Sequence, residues 1–169
     1  MKKPLLGMLV VSLAVVTVVG FVGRARHGAP DAGDGRLVAD RIWIDHVPRS
    51  DRDTFQAFAA VSAQAVGAFQ AASAWRGSYE LFRFEASGGE LRLVYPQTGE
   101  REAVRAKARR CNEHGLDFCL ELEGASRGVK RYYSKEGWEI RGVGDGDARA
   151  AMEAVQRRVE AIRAQLAAE

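Results

Sequence analysis

Two cysteines and three histidines are all the thiols and imidazoles that 169 residues offer, and this scarcity removes most of the usual chemistry. Cys111 and Cys119 do not form a C-x-x-C pair, so a redox role has no sequence support. His27, His46 and His114 occur singly and no serine sits in a G-x-S-x-G elbow, so no nucleophile and base can be named. Asp45 beside His46 would fall on the opposite face of a strand, and adjacency alone makes no dyad. Around Asp145-Gly146-Asp147 the calcium-loop pattern fails, because Arg149 and Gln156 stand where oxygen ligands are needed. A zinc site from Cys111, His114 and Cys119 lacks a fourth ligand close in sequence. The expectation is a non-catalytic protein with neither metal nor cofactor.

Net charge is scarce as well once the first 35 residues are set aside. Lys2, Lys3, Arg24 and Arg26 lie there against Asp31 and Asp34, which leaves the rest of the chain near neutrality. Nucleic-acid binding therefore loses its main electrostatic argument.

What the chain does have begins with an uncharged apolar run from Pro4 to Gly23 behind Lys2 and Lys3. As a helix it would be about 30 Å long, enough to cross a bilayer core. Residues 1–26 thus read as a signal anchor or a cleaved signal peptide, the anchor being favoured because Val18-Val19-Gly20 is the best cleavage candidate. No cysteine follows for lipoprotein attachment. Residues 27–36, rich in Gly, Ala, Asp and Pro, read as a flexible tether. The long polar domain behind such a segment is normally translocated. It is expected in the bacterial cell envelope, anchored in the inner membrane and facing the periplasm, or released there if cleaved.

Residues 37–143 carry strand patterns. Arg41 to Val47 alternates up to Pro48, with Ile42 and Ile44 on one face. Thr54 to Ala74 suits a helix or strands, and two short strands with a bend near Ser62 to Ala65 are expected. Gly88-Gly89 marks a two-residue hairpin that sets Phe84 against Leu93, Phe82 against Tyr95 and Glu85 against Arg92. A turn at Thr98-Gly99 would set Leu93 against Val104 and Leu91 against Ala106, at the cost of placing Arg92 opposite Arg105. If Cys111 faces Cys119, Arg109 meets Glu121, Lys107 meets Glu123 and Ala108 meets Leu122, with Gly115 in the loop. Val129 to Ser134 and Trp138 to Arg141 complete eight or nine strands. The fold class expected is mainly β, an antiparallel up-and-down barrel or strongly curved sheet.

Residues 144–169 turn helical, with Met152, Val155, Val159, Ile162 and Leu166 at alternating spacings of three and four. Asp145 or Asp147 can cap this helix and Glu153 can pair with Arg157. Packing against the domain is favoured over a coiled coil, where Arg158 would face Arg163. The even cysteine count in an exported domain favours a Cys111–Cys119 disulfide.

One constellation suggests a ligand. Pairing Leu122 with Val129 would put Arg131 beside Leu120 and Tyr133 beside Phe118, while Arg110 reaches Leu120 from the other side. Two inward guanidinium groups would need a carboxylate, from the protein or from an anionic ligand, unless they reach water at the barrel ends. Arg131-Tyr132-Tyr133 with Arg110 resembles the arrangement by which intracellular lipid-binding proteins of the calycin superfamily hold a fatty-acid carboxylate. The resemblance covers roughly Arg41 to Arg141, although Arg41-Ile42-Trp43 replaces the lipocalin G-x-W. It implies a lipocalin-like barrel in which Arg110, Arg131 and Tyr133 bind a lipid-like molecule. The competing expectation is a fully packed barrel that serves as a structural or protein-interaction domain and contacts another envelope protein.

Overall fold

The computed structural model describes residues 37–50, 52–73, 77–141 and 147–168. The expected anchor and tether lie outside the described residues. No helix among those described is long and apolar enough to cross a membrane.

Eight antiparallel strands close into an up-and-down barrel: β1 (Arg41–Ile44), β2 (Phe55–Val61), β3 (Val66–Ala72), β4 (Gly77–Ser87), β5 (Glu90–Val94), β6 (Arg101–Glu113), β7 (Leu116–Glu123) and β8 (Arg131–Ser134). A C-terminal helix, α1 (Ala148–Leu166), is capped by the Asp147 side chain, which accepts from the Ala150 N–H. Closure is brief. Ile44 pairs with Tyr133, and Arg41 forms an isolated bridge with Glu139.

The barrel buries two cores. Along β1, Trp43 points inward while Ile42 and Ile44 point outward, and α1 lays Val155, Val159 and Ile162 over that outer face of β1 to β3. These strands are therefore covered on both sides, which is why Phe55–Val61 is almost continuously apolar rather than alternating. Phe55–Val61 and Val66–Ala72 are two strands joined at Ser62 to Ala65, as the sequence suggested.

The β4–β5 hairpin keeps the expected register, with Phe84 opposite Leu93 and Glu85 opposite Arg92. Gly88 and Gly89 both adopt positive φ, which the two-residue turn requires. Three other registers differ. Between β5 and β6, Leu91 rather than Leu93 faces Val104, a shift of two residues. Pro96 cannot donate to a ladder, so the loop opens there and the Tyr95 N–H donates to the Glu100 carbonyl. The shift keeps every side chain on its expected face and moves Arg105 from Arg92 to Glu90.

Between β6 and β7 the shift is again two. Arg109 stands opposite Cys119, Ala108 opposite Leu120 and Lys107 opposite Glu121. The hairpin runs on to a tight turn at His114-Gly115, with a bulge between Arg110 and Glu113. Cys111 enters that bulge and reaches Cys119 as a disulfide across a Cα separation of 5.8 Å.

Between β7 and β8 the slip is one residue, and it reverses the faces. Leu120 meets Tyr132 and Glu121 meets Arg131. Adjacent tyrosines carry no face signal of their own. The choice is made by hydroxyls: Tyr132 accepts from the Val129 N–H at 2.9 Å, and Ser134 donates to the Ile42 carbonyl at 2.7 Å. Trp138 to Arg141 forms no strand beyond the Arg41–Glu139 bridge, so the strands among the described residues number eight.

Candidate functional site

Aromatic rings crowd the barrel interior. Phe58 lies 5.2 Å from Phe69, 5.8 Å from Phe82 and 5.9 Å from Tyr132, measured between ring centroids. Phe82 also meets Phe84 and Tyr95 at 6.2 and 6.4 Å. From β6 come only Val104, Ala106 and Ala108, small residues that leave room for the rings of β2 to β4. Phe82, Phe84, Leu93, Phe118 and Leu120 all belong to this single cluster, as the sequence placed them.

Both ends of the barrel are covered. At the end where β1 begins, Val38 is buried in the interior cluster and its carbonyl accepts from the Trp43 indole N–H at 2.9 Å. At the other end, Ala125 and Val129 of the β7–β8 connection pack on the cluster. Arg127 pins this connection by bridging to Glu80 and Glu100 while stacking 4.3 Å over Tyr95. Burial pushes the Tyr95 hydroxyl well above its ordinary range, helped by its hydrogen bond to Glu102. Burial also pushes the Glu102 carboxyl up, but Ser126, Tyr95 and Arg127 outweigh it and hold the group below its usual value.

The residues expected to hold a carboxylate are not brought together. Arg131 is exposed and pairs with Glu113 at 2.9 Å, and Tyr133 turns outward, where His114 meets its ring edge at 4.9 Å. Arg110 does lie at the end of an inward-facing row, with its guanidinium 5.0 Å from the Phe118 ring centroid. Its companion there is Arg41, stacked 4.0 Å from the same ring. Arg41 is nearly buried and bonded to Ser134, the Lys135 carbonyl and, at 2.7 Å, Glu139. Burial pulls its pKa down and Glu139 opposes the pull. Sequence reading missed Arg41; its sharing a strand face with Trp43 was the available signal.

The disulfide ties up both sulfurs of the Cys111, Glu113, Cys119 group. β1 stops at Ile44, so Asp45 and His46 lie in a bend rather than on opposite strand faces. There Asp45 and Asp53 approach the two ring nitrogens of His46 at 2.9 and 3.4 Å.

Outside the barrel, a groove of about 820 Å³ separates α1 from the outer face of β3 and β4. Val66, Ala68 and Leu81 line its floor, Met152 and Gln156 its helix side, and Pro96 its far rim. Such a volume is within the range of binding pockets. Tyr79 stands beside it at 67% exposure, the one large apolar side chain left so open among the described residues. The chain matches no family model, and no curated protein or solved structure is significantly similar to it.

Proposed function

We propose that this protein is a non-catalytic recognition domain of the bacterial cell envelope, tethered to the inner membrane by its N-terminal segment, and that its partner is another protein docked outside the barrel beside α1. The observation that carries this reading is the contrast between an interior filled with rings and covered at both ends, and the groove left open between α1 and β3–β4. Exposed tyrosine at a groove rim is the kind of side chain that anchors protein interfaces. The near-neutral domain speaks against nucleic acid as partner. A photoreactive residue placed at Gln156 of the full chain, in its own envelope, should yield a discrete protein adduct. Adducts with lipid alone would overturn the reading.

A second reading rests on Arg110. Among the described residues it has no acidic partner, and it shares the Phe118 platform with Arg41. An anionic head group could be held at that barrel end without entering the interior. Titration with a fatty acid, compared between the wild type and Arg110→Met, tests this; equal affinities would remove it.

A further inference from the structure

Strand β4 is eleven residues long and β5 only five, so the two are not matched. β5 pairs with β4 only from Arg83 to Ser87 and then ends before Pro96, which cannot extend a ladder. The first half of β4, from Gly77 to Leu81, therefore has β3 on one side and, among the described residues, no strand on the other.

The direction of the backbone groups in this overhang follows from two contacts. The Phe84 N–H donates to the Ala65 carbonyl, so Phe84, and by alternation Phe82, Glu80 and Ser78, direct their backbone groups toward β3. Leu81, Tyr79 and Gly77 direct theirs the opposite way. Leu81 bears this out: the Gln97 side-chain amide donates to its carbonyl at 3.0 Å and accepts from its N–H at 3.1 Å, filling the place a neighbouring strand would take. Among the described residues, nothing does the same for Tyr79 and Gly77. Both are exposed.

Side chains around this edge specify what would fit it. A strand laid beside β4 would place alternate side chains on its outer face, next to Tyr79, Leu81 and Pro96 at the edge of the groove. The side chain between them would fall on the face of Glu80, where Glu80, Glu100 and Glu102 outnumber the single Arg127. Pairing with a second copy of the chain in the register that sets Tyr79 against Tyr79 would bring Leu81 against Gly77, and Gln97 already occupies Leu81; a register that sets Tyr79 against Gly77 is the competing outcome that the capture experiment reads.

We infer that the Gly77–Leu81 stretch of β4 is a strand-addition edge for an extended segment of a partner protein in which apolar and basic residues alternate. The proposal rests on the reading of the outer groove as a protein-docking surface and adds the conformation and chemistry of the partner. Backbone pairing at Tyr79 and Gly77 supplies affinity, and the alternating pockets supply selectivity.

The test has two parts. A capped peptide alternating valine and lysine is titrated against the protein, alongside the same peptide N-methylated on the backbone amides that would pair, and a valine–glutamate version. The parent peptide should protect the Tyr79 and Gly77 amides from hydrogen exchange, and both altered peptides should bind at least tenfold more weakly. Binding indifferent to N-methylation, or no binding by any peptide, overturns strand addition. In the second part, a photoreactive phenylalanine analogue replaces Tyr79 in the full chain in its own envelope, and the captured peptide is sequenced. An alternating apolar and basic segment is expected; capture of only lipid, only a second copy, or nothing overturns the proposal. If position 156 captures a protein partner while the edge experiments fail, groove docking stands without strand addition. If position 156 fails too, both readings fall.

Discussion

Tyr132 stands directly opposite Leu120, and this one pairing decides which way the last strand presents its side chains. Tyr132 goes into the barrel, fully buried, while Arg131 and Tyr133 go outside. Their energetic weights should divide accordingly. Leu120→Ala removes a fully buried side chain from the ring cluster and should cost about 2–5 kcal/mol. Tyr132→Phe leaves the Val129 N–H without its acceptor and should cost about 1 kcal/mol. Arg131→Met breaks an exposed pair with Glu113 and a contact 5.7 Å over the outward Tyr133 ring, so about 1 kcal/mol or less is expected. Urea unfolding of the three variants gives the order directly, and Arg131→Met proving the most damaging would refute the register.

Replacing both cysteines with serine should leave the barrel folded and lower its stability by about 2 kcal/mol, because the bridge spans a separation of only eight residues. Non-reducing peptide mapping should find Cys111 joined to Cys119. Two alkylatable thiols in the native protein would count against the bridge.

Gly67 is fixed by close approach. A Cβ there would sit 2.3 Å from the Phe82 ring and 2.4 Å from the Ala59 carbonyl oxygen. Gly67→Ala should therefore destabilise by about 1–3 kcal/mol or more through forced displacement of β2 or Phe82. Differential scanning calorimetry would read this as a lowered Tm; an unchanged Tm would contradict the packing.

Stability should fall at both ends of the pH scale, for different reasons. Burial raises the Glu102 carboxyl pKa, but Ser126, Tyr95 and Arg127 together hold it below 4.5. Because the folded-state pKa is depressed, its contribution is present above the ordinary carboxylate range and is lost as pH falls through the folded value. Burial pushes the Tyr132 hydroxyl from 10.0 up to about 12. That contribution is complete below pH 10 and is lost as pH rises toward 12. Urea midpoints measured against pH should show a shallower acid limb for Glu102→Gln and a shallower alkaline limb for Tyr132→Phe. Unaltered limbs would show that neither group is held as described.

The strands were legible where one face met water and the other met the core. β4 and β5 alternate cleanly across Gly88-Gly89, and their register could be read from charge and apolarity together. β2 was ambiguous with a helix because α1 buries its second face, and a strand buried twice loses its period. Registers beside longer loops were not legible. The Pro96 loop and the bulge after Arg110 each move the pairing by two residues, which preserves faces and so leaves the hydrophobic pattern unchanged. The one-residue slip at Tyr132 matters more, since it separates Arg131 and Tyr133 from Arg110. The open edge of β4 arises from unequal strand lengths, a property of two strands together that no local motif announces.

The barrel interior is filled, and the proposed binding takes place outside it. Isotope-labelled methyl groups of leucine and valine divide the molecule suitably: Leu93, Leu120 and Leu122 report on the interior, and Val66, Leu81 and Val155 on the groove. A methyl-correlation NMR titration with a long-chain fatty acid, followed by one with the valine–lysine peptide, tests the claim most directly. The interior methyl resonances should stay unmoved throughout, while those of Val66 and Leu81 should shift saturably with the peptide. Saturable shifts at Leu93, Leu120 and Leu122 on adding fatty acid would contradict it and show that the barrel opens around a ligand.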